Sequence, residues 1–77
     1  MYMVIVWSNN QTKKFTATAR KLDGARLKDV EEWAFSKGLQ KTYSKSHTNK
    51  SAADADKRIQ VGQYLNSGYS ELIRGNI

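Results

Sequence analysis

The chain contains no cysteine and no proline. Without cysteine there is no disulfide or thiolate metal site to supplement a small core, and that usage suits a reducing compartment. Without proline, breaks between elements must come from Gly, Asn and Ser. Acidic residues are scarce: seven face thirteen Lys and Arg, for a net charge of +6. No long apolar run occurs either. The richest stretch, Tyr2 to Trp7, is far too short to cross a bilayer and lacks the basic flank and cleavage pattern of a secretory signal. Together these absences predict a cytoplasmic protein without a membrane span. Asn49-Lys50-Ser51 fits a glycosylation sequon, but with no secretory signal it reads as chance. The 77 residues supply one small domain with one modest core.

The charge is segregated. Residues 1–22 carry Lys13, Lys14, Arg20 and Lys21 with no acid, and residues 36–51 carry Lys37, Lys41, Lys45 and Lys50, again with no acid. Between them, Asp23, Asp29, Glu31 and Glu32 outweigh Arg26 and Lys28. Residues 52–77 balance to zero. A basic domain of this size attracts polyanions through its long-range field. The plainer use of such charge is solubility.

Residues 2–8 read as a strand, rich in β-branched and aromatic side chains and apolar on both faces. Ser8 to Thr12 reads as a hairpin turn, since Asn tolerates positive φ and caps its own backbone. Residues 13–21 read as the return strand, with Phe15, Ala17 and Ala19 inward and Lys14, Thr16, Thr18 and Arg20 on a solvated basic face. The two alanines leave room for a helix across the hairpin. That helix is predicted over 25–37, with Asp23 as N-cap and a stripe of Leu27, Val30 and Ala34 flanked by Trp33 and Phe35. Gly38 reads as the left-handed C′ residue, with Leu39 packing back behind it.

Residues 40–51 have almost no apolar content and read as a mobile basic loop. Residues 52–66 fit a helix capped by Ser51, with Ala52, Ala55, Ile59 and Gly62 on one face, or else a strand with Ile59, Val61 and Leu65 alternating. Residues 69–74 read as a short terminal element, helix or strand. The predicted class is α+β: an N-terminal β-hairpin packed on an α-helix, then a basic loop and a second helix. The alternative is ββαββ, a four-stranded antiparallel sheet with one helix.

Chemistry-bearing patterns are thin. His47 is the sole histidine and has no Cys partner, so a zinc site or a triad lacks its other members and an exposed loop histidine is expected. Asp54 and Asp56 have the spacing of a calcium loop, but Lys57, Arg58 and Ile59 follow with no further oxygen ligands. Glu31 and Glu32 are adjacent on a helix and do not face each other. The five glycines are scattered and build no phosphate loop. No catalytic residue, metal, cofactor or small-molecule substrate is therefore expected.

A binding surface remains. Lys13, Lys14 and Arg20 on the hairpin, with Lys41, Lys45 and Lys50 in the loop, are cations of the kind that hold phosphate oxygens, and Tyr43 among them can stack on a base. The expected partner is nucleic acid or a nucleic-acid-handling complex. No RNP pattern, GXXG loop or zinc-finger spacing accompanies it. A helix-turn-helix around Gly38-Leu39 is conceivable, but Lys41 to Ser46 would make a poor recognition helix with only Tyr43 to dock it. The second reading is a small inhibitor or adaptor, of the type made by phages and mobile elements, docking on an acidic or nucleic-acid-binding face of a larger complex. The third is a structural homo-oligomer.

Overall fold

The computed structural model describes residues 1–21 and 24–73. The N-cap role assigned to Asp23 and the last residue of the terminal element, Arg74, lie outside them. The chain runs β1 (Tyr2–Asn9), β2 (Lys14–Arg20), α1 (Gly24–Ser36), β3 (Gln40–His47), α2 (Lys50–Asn66) and β4 (Ser70–Glu71). The strands form one sheet in the order β3-β1-β2-β4, with β1 antiparallel to both neighbours and β4 parallel to β2. The architecture is α+β: a β-hairpin followed by a helix, completed into a four-stranded mixed sheet with two helices. No described helix is long and apolar enough to cross a membrane.

The apolar character of β1 on both faces sets the layering. Ile5 and Trp7 pack on one face against Val30 and Ala34 of α1 and against Leu39, with Met3, Leu27, Trp33 and Leu72 around them. Val6, Phe15 and Ala17 pack on the other face with Tyr43, Tyr69, and Val61 and Tyr64 of α2. The connections β2-α1-β3 and β3-α2-β4 cross the sheet in opposite directions. With the same hand for both, the two helices must land on opposite faces.

This corrects the expected position of the first helix. It lies on the Ile5–Trp7 face, and α2 covers Phe15 and Ala17. The face of β2 expected to be solvated and basic is instead turned toward α1: Thr16 pairs with Trp7 and is only 6% exposed, and Thr18 and Arg20 are half-buried.

Residues 40–51 are a second correction. They form β3 and the first turn of α2, not a loop. The edge of β1 away from β2 carries backbone donors and acceptors that would otherwise be buried unpaired, and β3 satisfies them. As an edge strand with most side chains in solvent, β3 can be polar and still be held in place. Its lysines and a bulge between Val6 and Trp7 are the usual means by which an exposed edge resists pairing with another chain. A strand beginning at Gln40 also removes the helix-turn-helix.

Residues 52–66 are helical, which removes the one-helix alternative, although the sheet does have four strands. The N-cap is Asn49, whose side chain accepts from the Ala52 amide at 2.8 Å, rather than Ser51. The inward face is Ala53, Val61 and Tyr64, while Ile59 and Leu65 are 57% and 50% exposed. The face through Ala55 and Ile59 is thus the outer one.

Enclosure on both sides has a direct test. Ile5→Ala is expected to cost about 2–5 kcal/mol, and Val6→Ala about 0.8 kcal/mol less, for one methylene fewer removed. Chemical denaturation of both variants checks it. A near-zero cost for either would mean that its face of β1 is not covered.

Candidate functional site

Both helices end at the same end of the molecule as the hairpin turn, and they end in the same way. Gly38 (φ 78°) and Gly68 (φ 88°) take the left-handed conformation that side chains disfavour. The Leu39 amide donates to the Ala34 carbonyl and the Tyr69 amide to the Tyr64 carbonyl, each at 3.0 Å. The Gly38 and Gly68 amides close the inner bonds, to Phe35 and Leu65. These are Schellman closures, and each turns the following residue back onto the core. For α1 that residue is Leu39, as its sequence predicts. For α2 it is Tyr69.

The hairpin turn is tied to this end by Asn9. Its Oδ1 accepts from the Gln11 and Thr12 amides at 2.8 and 3.2 Å, and its Nδ2 donates to the Gly38 carbonyl at 2.8 Å. The positive φ of the turn falls on Lys13, at 58°, rather than on an asparagine. Lys13 Nζ then sits 5.0 Å from the centre of the Tyr69 ring, a cation–π contact. Tyr69 meets Tyr64 edge-on at 5.0 Å, and Tyr64 stacks on Phe15 at 5.0 Å. The Tyr64 hydroxyl is hydrogen-bonded to Thr42 Oγ1, and Thr42 to Ser8, both at 2.9 Å.

Two adjoining depressions flank this aromatic group, with volumes of about 520 and 360 Å³. They share Thr42, Tyr64 and Tyr69 as a common wall. Asn10, Gln11 and Gln40 line the first, and Gln63 and Ser67 the second. Among the described residues no charged side chain lines either one. The chain around them is free of acid: residues 8–14, 36–45 and 62–70 contain no Asp or Glu.

The structure divides the sequence-predicted basic set. Lys13 and Lys14 lie at the hairpin end, and Lys41, opposite Trp7, lies close to it. Arg20 and Lys45, opposite Met3 and Val4, lie toward the other end with Lys50. Lys14 and Arg20 are six residues apart on one strand, about 20 Å at strand spacing. Lys41 is within 3.7 Å of Glu31 across an exposed gap, a weak attachment. Lys37, left out of the set, joins the hairpin end from the close of α1. Its place within the acid-free stretch 36–51 was the available signal.

Tyr43 points inward. Its hydroxyl donates to Asp56 Oδ2 at 2.7 Å, and His47 Nε2 meets the same oxygen at 2.8 Å. Gln60 donates to Oδ1 at 3.3 Å. His47 is thus not an exposed loop residue: its side chain is 14% exposed. Tyr43 and His47 fall on one side of β3 because they are four residues apart on a strand, and Asp56 faces them from the second turn of α2. Burial pushes the Asp56 carboxyl up, but hydrogen bonds from His47, Tyr43 and Gln60 outweigh it and hold the pKa below its ordinary value. The Asp56 carboxylate in turn raises the Tyr43 phenol, mainly through their hydrogen bond. These hydrogen bonds clasp β3 to α2. Among those residues no group of three His, Cys, Asp or Glu could hold a metal ion.

No family model, curated protein or solved structure matches this chain.

The clasp predicts a pH dependence. A carboxyl whose folded pKa is depressed contributes stability that is fully present above its unfolded pKa, near 3.8, and is lost as pH falls through the folded value. Asp56→Asn is therefore expected to lower the urea midpoint at neutral pH, with the gap from wild type narrowing below the ordinary carboxylate range. A gap of constant size across that titration would show that the charge of Asp56 contributes nothing.

Proposed function

We propose that this protein is a non-enzymatic, cytoplasmic nucleic-acid-binding module that contacts phosphates with the hairpin end of its sheet. One observation carries the reading: three stretches distant in sequence, each without acid, meet at that end, and two of them carry Lys13, Lys14, Lys37 and Lys41 to it. Lysines there neutralise phosphate charge and release counterions. The plainer account is that lysines near two helix C-termini complement the helix dipoles. It applies best to Lys37, at the close of α1, and least to Lys14, in the first position of a strand.

A second reading keeps the same surface and changes the partner. An inhibitor or adaptor would set these lysines against an acidic protein face, with bare nucleic acid bound only weakly. The exposed Phe35 at the end of α1 favours keeping this reading, since it offers an apolar contact beside Lys37.

Titration of short DNA and RNA at two salt concentrations tests the proposal. Lys13→Ala with Lys14→Ala is expected to weaken binding at all sequences alike and to reduce the salt slope by about 1.4 for two single-strand phosphate contacts. Lys45→Ala with Lys50→Ala, toward the opposite end, is expected to do much less. A reversed order would move the interface to the Arg20–Lys45–Lys50 end, and no binding to either nucleic acid would leave the protein-partner reading.

A further inference from the structure

We propose that the two depressions around Tyr64 and Tyr69 seat unpaired nucleobases, so that the ligand of the hairpin end is single-stranded nucleic acid. This rests on the phosphate-binding reading of the same end and goes beyond it by assigning the neutral half of the ligand.

The chemistry of the walls is the first support. The walls are tyrosine rings, side-chain amides and hydroxyls, with no charged group among the described residues. A phosphate placed there would lose water and gain no cation. A nucleobase is flat and neutral, with a mixed donor and acceptor edge. Asn10, Gln11, Gln40 and Gln63 each carry both a donor and an acceptor, so they can pair with the edge of any base. Of the lysines at this end, Lys13 stands beside the depressions, while Lys14 shares the α1-side face of β2 with Thr16 and Lys41 pairs with Glu31 of α1. Lys13 links the two regions, because its ammonium rests over the ring of Tyr69.

Preorganisation is the second. Tyr64 is held by its stack on Phe15 and by the hydrogen bond to Thr42. Tyr69 is placed by the Gly68 closure of α2. Aromatic surfaces that are fixed before binding lose little freedom when a base arrives. Adjacent seats with a shared aromatic wall match the way successive bases of a strand are taken up. In a duplex the bases are stacked inside, so their faces cannot enter such seats.

Fluorescence anisotropy of the full chain with three labelled probes decides it. The probes are a thymidine strand of about 12 nucleotides, an abasic deoxyribose-phosphate strand of equal length, and a duplex. The thymidine strand is expected to bind at least about tenfold more tightly than the abasic one. Tyr69→Leu is expected to bring the ratio of thymidine to abasic affinity close to one. Gln40→Ala, at an exposed position of β3, should move thymidine affinity in the same direction. Equal binding of thymidine and abasic strands, both sensitive to Lys13 and Lys14, overturns the base seats and leaves the phosphate reading standing. Absence of binding to all three probes overturns the phosphate reading itself. A thymidine preference insensitive to both Tyr69 and Gln40 also sinks the seats, as would binding of a neutral glucan oligomer in place of the strand.

Discussion

A strand that is apolar on both faces and hydrogen-bonded along both edges must be enclosed completely, and β1 is such a strand. Val4, Ile5, Val6 and Trp7 are all essentially inaccessible to water. Neither face can be left to solvent without exposing two large side chains, so the fold needs one helix above the sheet and another below. Neither edge can be left open without burying unpaired backbone groups, so a strand with almost no apolar content is drawn into the sheet as β3. The opposite crossing directions of the two helical connections follow from the same requirement.

Because β1 occupies the centre, everything able to meet a partner is displaced to the periphery, and the connections decide what gathers there. The hairpin turn and both helix C-termini converge on one end. Two Gly-terminated closures, one followed by Leu39 and the other by Tyr69, shape that end, and Asn9 fastens the turn to the first of them. The lysines, the amides and the paired tyrosines come from segments up to sixty residues apart, yet they share an end because the sheet has only one hairpin turn and both helices stop beside it.

Much of this could be read from the residues. The hairpin, the first helix with its Gly38 closure, and the membership of the core were legible because each has a local signature: period-two alternation, an i, i+3, i+7 stripe, a glycine before a hydrophobe. The division of the core between two faces was not, since it depends on which side each helix crosses. The strand character of residues 40–47 was hidden because this edge strand turns Tyr43 and His47 inward and otherwise carries polar side chains, so no alternation of apolar residues marks it; what holds it is the need of β1 for a partner. Asp56 and His47 gave no signal as a pair, because the contact forms only once β3 and α2 are both in place. Of the candidate surface, the acid-free stretches within residues 1–22 and 36–51 were visible in the sequence, while 62–70 was hidden inside a segment whose charges balance. The separation of Arg20, Lys45 and Lys50 from Lys13 and Lys14, and the placement of Tyr69 by Gly68, needed the register and the helix end.

The central position of β1 also has a consequence for the order in which the protein is made. This strand is made before the elements that enclose it: Val6 finds its β3 partner only at Tyr43, and one face of it stays uncovered until α2 follows. In the interval the nascent chain displays a two-stranded ribbon whose Val4, Val6 and Phe15 have nothing above them, a segment well suited to pairing with its neighbours on a crowded polysome. Lys13, Lys14, Arg20 and Lys21 bracket that ribbon with four positive charges and no acid. Whatever the mature surface binds, like charge on unfinished copies opposes their pairing, as charged residues flanking an exposed apolar strand do in general.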